Sequence, residues 1–170
     1  MRNYLPFLAL FLAALVTGCS ENKPSNGPST EGGKHLLTSE PAGAVGVTDA
    51  RKQTKDGDDV VIVGRIGGKD NPWGDGQALF WIVDCSKKAC NERPDDHCET
   101  PWDFCCEDLT DAIATVKIVD DTGATVQTPA RKLLGVKELQ TVVVRGKAKR
   151  DDKGNLTVLA TGLYVRPDKK

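Results

Sequence analysis

From residue 58 onward the apolar positions fall into short runs separated by polar turns, which is the pattern of a β domain. Residues 60–66 (VVIVGRI) are β-branched and predict a first strand, in which Gly64 predicts a bend or bulge. Residues 78–84 (ALFWIVD) predict a second strand. Its alternate faces, Leu79, Trp81 and Val83 against Ala78, Phe80 and Ile82, are both apolar, so both are expected to be covered. Residues 114–119 (ATVKIV) predict a third strand, closed by the turn Asp120-Asp121-Thr122-Gly123. A short helix or helical turn is expected within 129–139. Residues 141–149 predict a fourth strand, with Val142, Val144, Gly146 and Ala148 on one face and Thr141, Arg145, Lys147 and Lys149 facing outward. The loop Asp151-Asp152-Lys153-Gly154 joins it to a fifth strand over 155–165. Ahead of these, Ser39-Glu40-Pro41 places a capping serine before a first-turn proline. It predicts a short helix running from Ser39 toward Lys55.

Five strands with a short helical segment between the third and fourth resemble the OB-fold. The glycine-interrupted first strand and the long last hairpin add to the likeness, which covers about residues 58–166. The resemblance implies a mainly β, five-stranded Greek-key barrel. The domain is expected over 41–170, with a short N-terminal helix and an insertion at 84–111 between the second and third predicted strands.

The N-terminus has a different character. Arg2 precedes an apolar stretch at 5–16, which is in the range of an export signal and too short to span a bilayer. The stretch ends Val16-Thr17-Gly18-Cys19, which resembles the lipobox of bacterial lipoproteins. That resemblance implies a signal peptide at 1–18, cleavage before Cys19 and lipid attachment to the Cys19 thiol. Several acyl chains on one residue make a stable membrane anchor. The following residues are rich in Ser, Asn, Pro and Gly, so 19–40 is expected to be a lipidated, flexible tether. The expected location is the bacterial cell envelope, facing the periplasm or exterior. Ser20 leaves outer-membrane sorting permitted, because the Asp retention signal of some lipoproteins is absent there.

Composition changes this picture in one respect. The chain of 170 residues has a formal charge of −1, which gives no general basic character for nucleic acid. The insertion, however, holds nine acids against three bases, a local charge of −6. It also holds every cysteine except Cys19: Cys85, Cys90, Cys98, Cys105 and Cys106, together with His97. Loops this long are uncommon unless functional or stapled.

An odd set of five thiols leaves three chemistries open. Two disulfides plus one free thiol suit an oxidising compartment, each bridge contributing about 2–4 kcal/mol. Four thiolates, or three with His97, suit a tetrahedral Zn²⁺ site, and thiolates also suit copper(I). The spacing C-x4-C-x7-C-x6-C-C contains no C-x2-C knuckle. Thiol redox chemistry would use Cys105 or Cys106, although the acidic surroundings raise a thiol's pKa and blunt it.

The string Thr100-Pro101-Trp102-Asp103-Phe104-Cys105-Cys106-Glu107, with Gly64-Arg65-Ile66-Gly67-Gly68 upstream, is the most distinctive in the chain. It resembles a group of bacterial predicted lipoproteins with a TPWD-aromatic-CCE signature. The resemblance implies a small β domain on a tether and brings no reaction with it. Trp73 and Trp102 are candidates for stacking on a sugar or base, and equally for packing over the ends of the barrel. The Asp-rich turns lack the D-x-D-x-D-G-x5-E register of a calcium loop. The basic run 145–153 reads as a solvated hairpin face. G-x-S-x-G, P-loop, H-E-x-x-H and dinucleotide motifs are all missing.

The expectation is a non-catalytic, membrane-anchored envelope lipoprotein. Its OB-like domain would bind a ligand, an envelope protein or a glycan, with the insertion stapled by disulfides and no cofactor. The alternative is a zinc- or copper-binding or thiol-redox protein acting through the insertion. Nucleic-acid binding is a weaker third reading.

Overall fold

A computed structural model describes residues 27–94 and 97–168. The expected signal peptide, Cys19 and the first part of the tether lie outside the described residues, as do Asp95 and Asp96. Among the described residues no helix is long and apolar enough to cross a membrane.

The chain is mainly β. Its elements are β1 (Val45–Gly46), α1 (Val47–Gln53), β2 (Asp59–Ile66), β3 (Leu79–Val83), β4 (Ile113–Ile118), α2 (Ala130–Leu134), β5 (Thr141–Arg150) and β6 (Leu156–Val165). The strands form one six-stranded mixed sheet in the order β1-β2-β3-β4-β6-β5. β2 also pairs with β5 from Asp59 to Arg65, so the last strand of that order meets the second. β1 runs parallel to β2, and β4 parallel to β6; the other pairs are antiparallel.

The alternation expected of these strands is what buries the core. Ile62 and Ile66 of β2, Phe80 and Ile82 of β3, and Val116 and Ile118 of β4 meet Val142 and Val144 of β5 in one cluster. α2 closes it with Leu133 and Leu134, then ends at Gly135, whose φ of 68° is the left-handed cap that glycine supplies without strain. The second face of β3 is covered as well. Val83 sits in a smaller cluster with Ala89 and Phe104 of the insertion, and the Lys69 ammonium lies 3.8 Å from the Trp81 ring centroid.

Two local expectations change. The helix begins at Val47, not Ser39, because Gly43 takes a left-handed φ of 78° and Val45–Gly46 pairs with β2. Gly64 carries no bulge: it pairs with Val142 in unbroken register. A β-carbon there would come within 2.9 Å of the Val83 carbonyl oxygen, so glycine serves the close approach of β2 and β3. The register shift lies instead in β5, between Arg145 and Gly146.

Order also begins earlier than Ser39. The Ser29 N–H donates to the Leu133 carbonyl at 3.0 Å, and Leu36 bridges to Leu163 in parallel. β4 occupies β6 only from Thr157 to Ala160, which leaves the Leu163 backbone open. Leu37 and His35 fill that place, with Leu37 N–H donating to Leu163 and Leu163 N–H donating to His35. Ser29 and residues 35–37 thus bond to the folded part.

Candidate metal centre

The insertion leaves the sheet at Asp84 and returns at Ala112, and these two residues close its base: the Asp84 N–H donates to the Ala112 carbonyl at 2.8 Å. The Asp84 carboxylate is buried and accepts the Thr48 and Ser86 N–H groups, each at 2.9 Å. Burial works against its ionisation, but those hydrogen bonds outweigh it and hold the carboxyl below its ordinary value.

Two single 3-10 turns, Cys90–Glu92 and Pro101–Asp103, bring the sulfurs together. Pro101 fits the first position of the second turn, where a missing N–H costs nothing. Phe104 then adopts a left-handed φ of 56° and is buried against Val83 and Ala89. That reversal turns Cys105 and Cys106 back toward Cys90. The Cys105 and Cys106 N–H groups both face the Cys90 sulfur, a backbone arrangement suited to a thiolate.

The result is a compact donor set. One donor atom each from Cys90, Cys98, Asp103 and Cys105 lie within 4.8 Å of one another. Cys90 Sγ is 3.5 Å from Cys105 Sγ and 3.4 Å from Asp103 Oδ1; Cys98 Sγ is 3.8 Å from Asp103 Oδ2. With zinc–sulfur bonds of about 2.3 Å and zinc–oxygen bonds of about 2.0 Å, tetrahedral edges come to about 3.8 Å for two sulfurs and about 3.5 Å for sulfur and oxygen. The four residues can hold a metal ion.

Burial first, and the neighbouring Asp103 carboxylate with it, push the Cys90 thiol up. Contacts with Cys90 and then Cys106 push Cys105 well above the ordinary thiol range. Burial opposes ionisation of Asp103, but the Cys105 N–H at 2.8 Å and the Thr100 hydroxyl at 3.0 Å help hold it below its ordinary value. Three sulfurs and an ionised carboxylate this close cannot all carry charge without a cation to compensate.

No family model matches the chain, and no curated protein is similar to it.

The site differs from the sequence expectation in its fourth donor. His97 is exposed and stands outside the donor group, whereas Asp103 occupies the corner proposed for it. The signal for Asp103 lay in its position two residues before Cys105, where an Asp side chain naturally accepts the N–H of residue i+2. The expected disulfide staple is not seen: among the described residues no two cysteine sulfurs stand at bonding distance. A bond requires sulfurs at about 2.05 Å, and Cys90 and Cys105 stand at 3.5 Å. Cys85 is set apart, in a surface cleft with Arg65, Lys87 and Arg166.

Both tryptophans are tied to the domain. Trp73 packs against Phe80 with ring centroids 6.1 Å apart, and its indole N–H donates to Glu138 at 2.8 Å. The Trp102 indole donates to the Asp70 carbonyl at 2.9 Å. The insertion's acids are largely engaged as well. Glu92 pairs with Arg65 at 2.5 Å, and Glu107 pairs with Arg93 and with Lys87. The Arg65 guanidinium lies 5.2 Å from the Phe104 ring centroid, so the arginine of the upstream glycine string supports the aromatic that turns the cysteines inward.

Proposed function

We propose that the chain is a non-catalytic, membrane-anchored envelope lipoprotein whose OB-like barrel carries a zinc-binding insertion. Cys90, Cys98, Asp103 and Cys105 are the ligands. One observation carries this reading: three sulfurs and one carboxylate oxygen within 4.8 Å of one another, at separations suited to a tetrahedral ion. The ion takes over the stapling role expected of disulfides and holds a loop with little core of its own. Zinc is favoured over copper(I) because one donor is a carboxylate, and copper(I) selects soft sulfur ligands.

Support for the OB-like barrel comes from the pairings. β2, β3, β4, β6 and β5 each pair with the next, and β5 pairs back to β2. α2 lies between β4 and β5, and β4 and β6 are parallel. Support for the anchor remains the lipobox-like sequence. Cys19 lies 10 positions before Ser29, where docking onto the domain begins, so a lipid there stands within about 36 Å of the fold. That distance keeps the insertion in the envelope space.

A groove of about 980 Å³ offers a place for an envelope ligand. It lies over β2, β5 and β6, with Val61 and Leu159 among its apolar residues and Asp59, Asp121, Lys34 and Arg145 among its charged ones. His35 is the one ring along it, and no Phe, Tyr or Trp lines it among the described residues. It suits a ligand of mixed charge better than a nucleic acid, whose bases call for stacking platforms.

The test is metal and thiol analysis of the full chain isolated without reductant from bacterial envelopes. One equivalent of zinc, lost on substitution of Cys98 by serine, is the expected result. Absence of any bound metal together with two disulfides in the native protein would overturn the reading. One equivalent of copper in place of zinc would correct the choice of ion.

A further inference from the structure

The donor cluster is graded in exposure. Cys90 is fully buried, Cys98 and Asp103 are half-buried, and Cys105 and Cys106 are exposed. Cys106 stands outside the four-donor group, yet its sulfur lies 3.8 Å from Cys105 Sγ. That equals the edge of about 3.8 Å that two thiolates keep on one zinc ion. The Cys106 main chain is already committed to the site, with its N–H facing the Cys90 sulfur and its carbonyl accepting from Arg93 at 3.3 Å. Rotation about its side-chain bonds is the movement that would carry the Cys106 sulfur onto an ion held by Cys105.

Asp103 is the natural ligand to leave. It is the single oxygen donor among sulfurs, and both its oxygens have other partners. Oδ1 accepts the Cys105 N–H, and Oδ2 accepts the Thr100 hydroxyl. These charge-assisted bonds stabilise the carboxylate when it is off the ion.

Resting on the zinc reading above, we propose that Cys106 is an exchange ligand. It replaces Asp103 on the ion and makes the exposed Cys105–Cys106 edge the route by which the protein passes a thiophilic divalent cation to a thiol-bearing acceptor. In the first step the Cys106 thiol gives its proton to solvent and its sulfur bonds the ion. The Asp103 oxygen–metal bond breaks, and the carboxylate stays ionised. An acceptor thiol then loses its proton and bonds the ion from the solvent side, while the displaced protein sulfur takes up a proton. No electron moves at any point. The acceptor is recognised by its thiols, and the buried Cys90 is the last donor to let go.

The experiment uses the full chain in detergent, reduced and loaded with Co²⁺ as a spectroscopic probe. Four forms are compared: wild type, Cys106→Ser, Asp103→Ala and the double variant. Cys106→Ser is expected to release Co²⁺ to a thiol chelator about tenfold more slowly than wild type, the rate equivalent of a barrier about 1.4 kcal/mol higher. Asp103→Ala is expected to keep the ion with stronger sulfur-to-cobalt charge-transfer absorption, as a fourth thiolate enters. The double variant is expected to lose it. The proposal is overturned if Cys106→Ser releases Co²⁺ at the wild-type rate, or if Asp103→Ala loses the ion as completely as the double variant. Failure of the wild type to bind Co²⁺ at all would overturn the zinc reading itself, which separates the two.

Discussion

The Gly68 N–H donates to the Trp102 carbonyl at 2.8 Å, and this bond joins the two most distinctive strings of the sequence into one structural unit. Gly68 has a φ of 90°, and a β-carbon there would lie 2.7 Å from Ile113 and Val83 side-chain atoms. At Gly67 a β-carbon would overlap the Trp102 carbonyl oxygen itself. The glycines after β2 let the metal-bearing loop lie directly on the sheet.

Gly67→Ala is expected to destabilise the domain by about 1–3 kcal/mol, since backbone rather than a flexible side chain must move aside. Urea unfolding of the metal-free protein measures this. Zinc affinity should fall in the same variant, because the Pro101–Asp103 turn carries one of the ligands.

Removal of the metal is expected to lower the unfolding midpoint of the wild type. An ion bound only by the native state stabilises it by about 2.7 kcal/mol when present at 100 times its dissociation constant. Thermal unfolding with and without a chelator gives the shift. Cys90→Ser should abolish the difference. His97→Ala should leave it intact, since His97 stands outside the donor group.

Acid should weaken the base of the insertion through Asp84. Its folded pKa lies below the ordinary value of 3.8, so its contribution is fully present above that pH. The contribution is lost as pH falls through the folded pKa. Asp84→Asn is expected to cost stability at neutral pH and to flatten the acid limb of the stability–pH curve. Asp84→Ala should cost about 1.5–3 kcal/mol, the scale of hydrogen bonds to a charged acceptor. Equilibrium unfolding between pH 7 and pH 3 at constant ionic strength, with Asp84→Asn as reference, reads the effect.

Arg150 is expected to be the structural arginine of the basic hairpin. Its guanidinium donates to the carbonyls of Thr54 at 3.1 Å, Gly154 at 2.9 Å and Arg51, tying α1 to β5. Arg150→Ala should cost about 1–3 kcal/mol, as several carbonyls lose their donor. Lysine cannot span them all, so Arg150→Lys should recover only part. Lys149→Ala, on an exposed position of the same strand, should fall within about 0.5 kcal/mol of wild type by the same unfolding measurement.

Five of the six strands were legible in the sequence to within a residue or two, from runs such as 60–66 and 141–149, and β1 was not. Side-chain alternation is a local property, and a run of β-branched residues carries it without reference to the rest of the chain. Helix α1 was misplaced, because Ser39-Glu40-Pro41 has the chemistry of a helix start but Val45–Gly46 finds a partner in β2. The docking of residues 29–37 was not legible either. It depends on the backbone of Leu163, which lies beyond the end of the β4–β6 pairing.

The donor cluster divides in the same way. The residue order puts five thiols, an odd set, in one acidic insertion and leaves metal, disulfide and redox chemistry open. Which donors meet is a matter of packing. Asp103 joins Cys90, Cys98 and Cys105 while His97 stays outside, because the left-handed turn at Phe104 and its burial against Val83 aim Cys105 back across the loop. Spacing along a chain states how far apart two residues can be. Which of them converge is set by the packing that folds the loop onto the sheet, and here that packing rests on Gly67, Gly68 and Arg65, more than 30 positions upstream of Phe104.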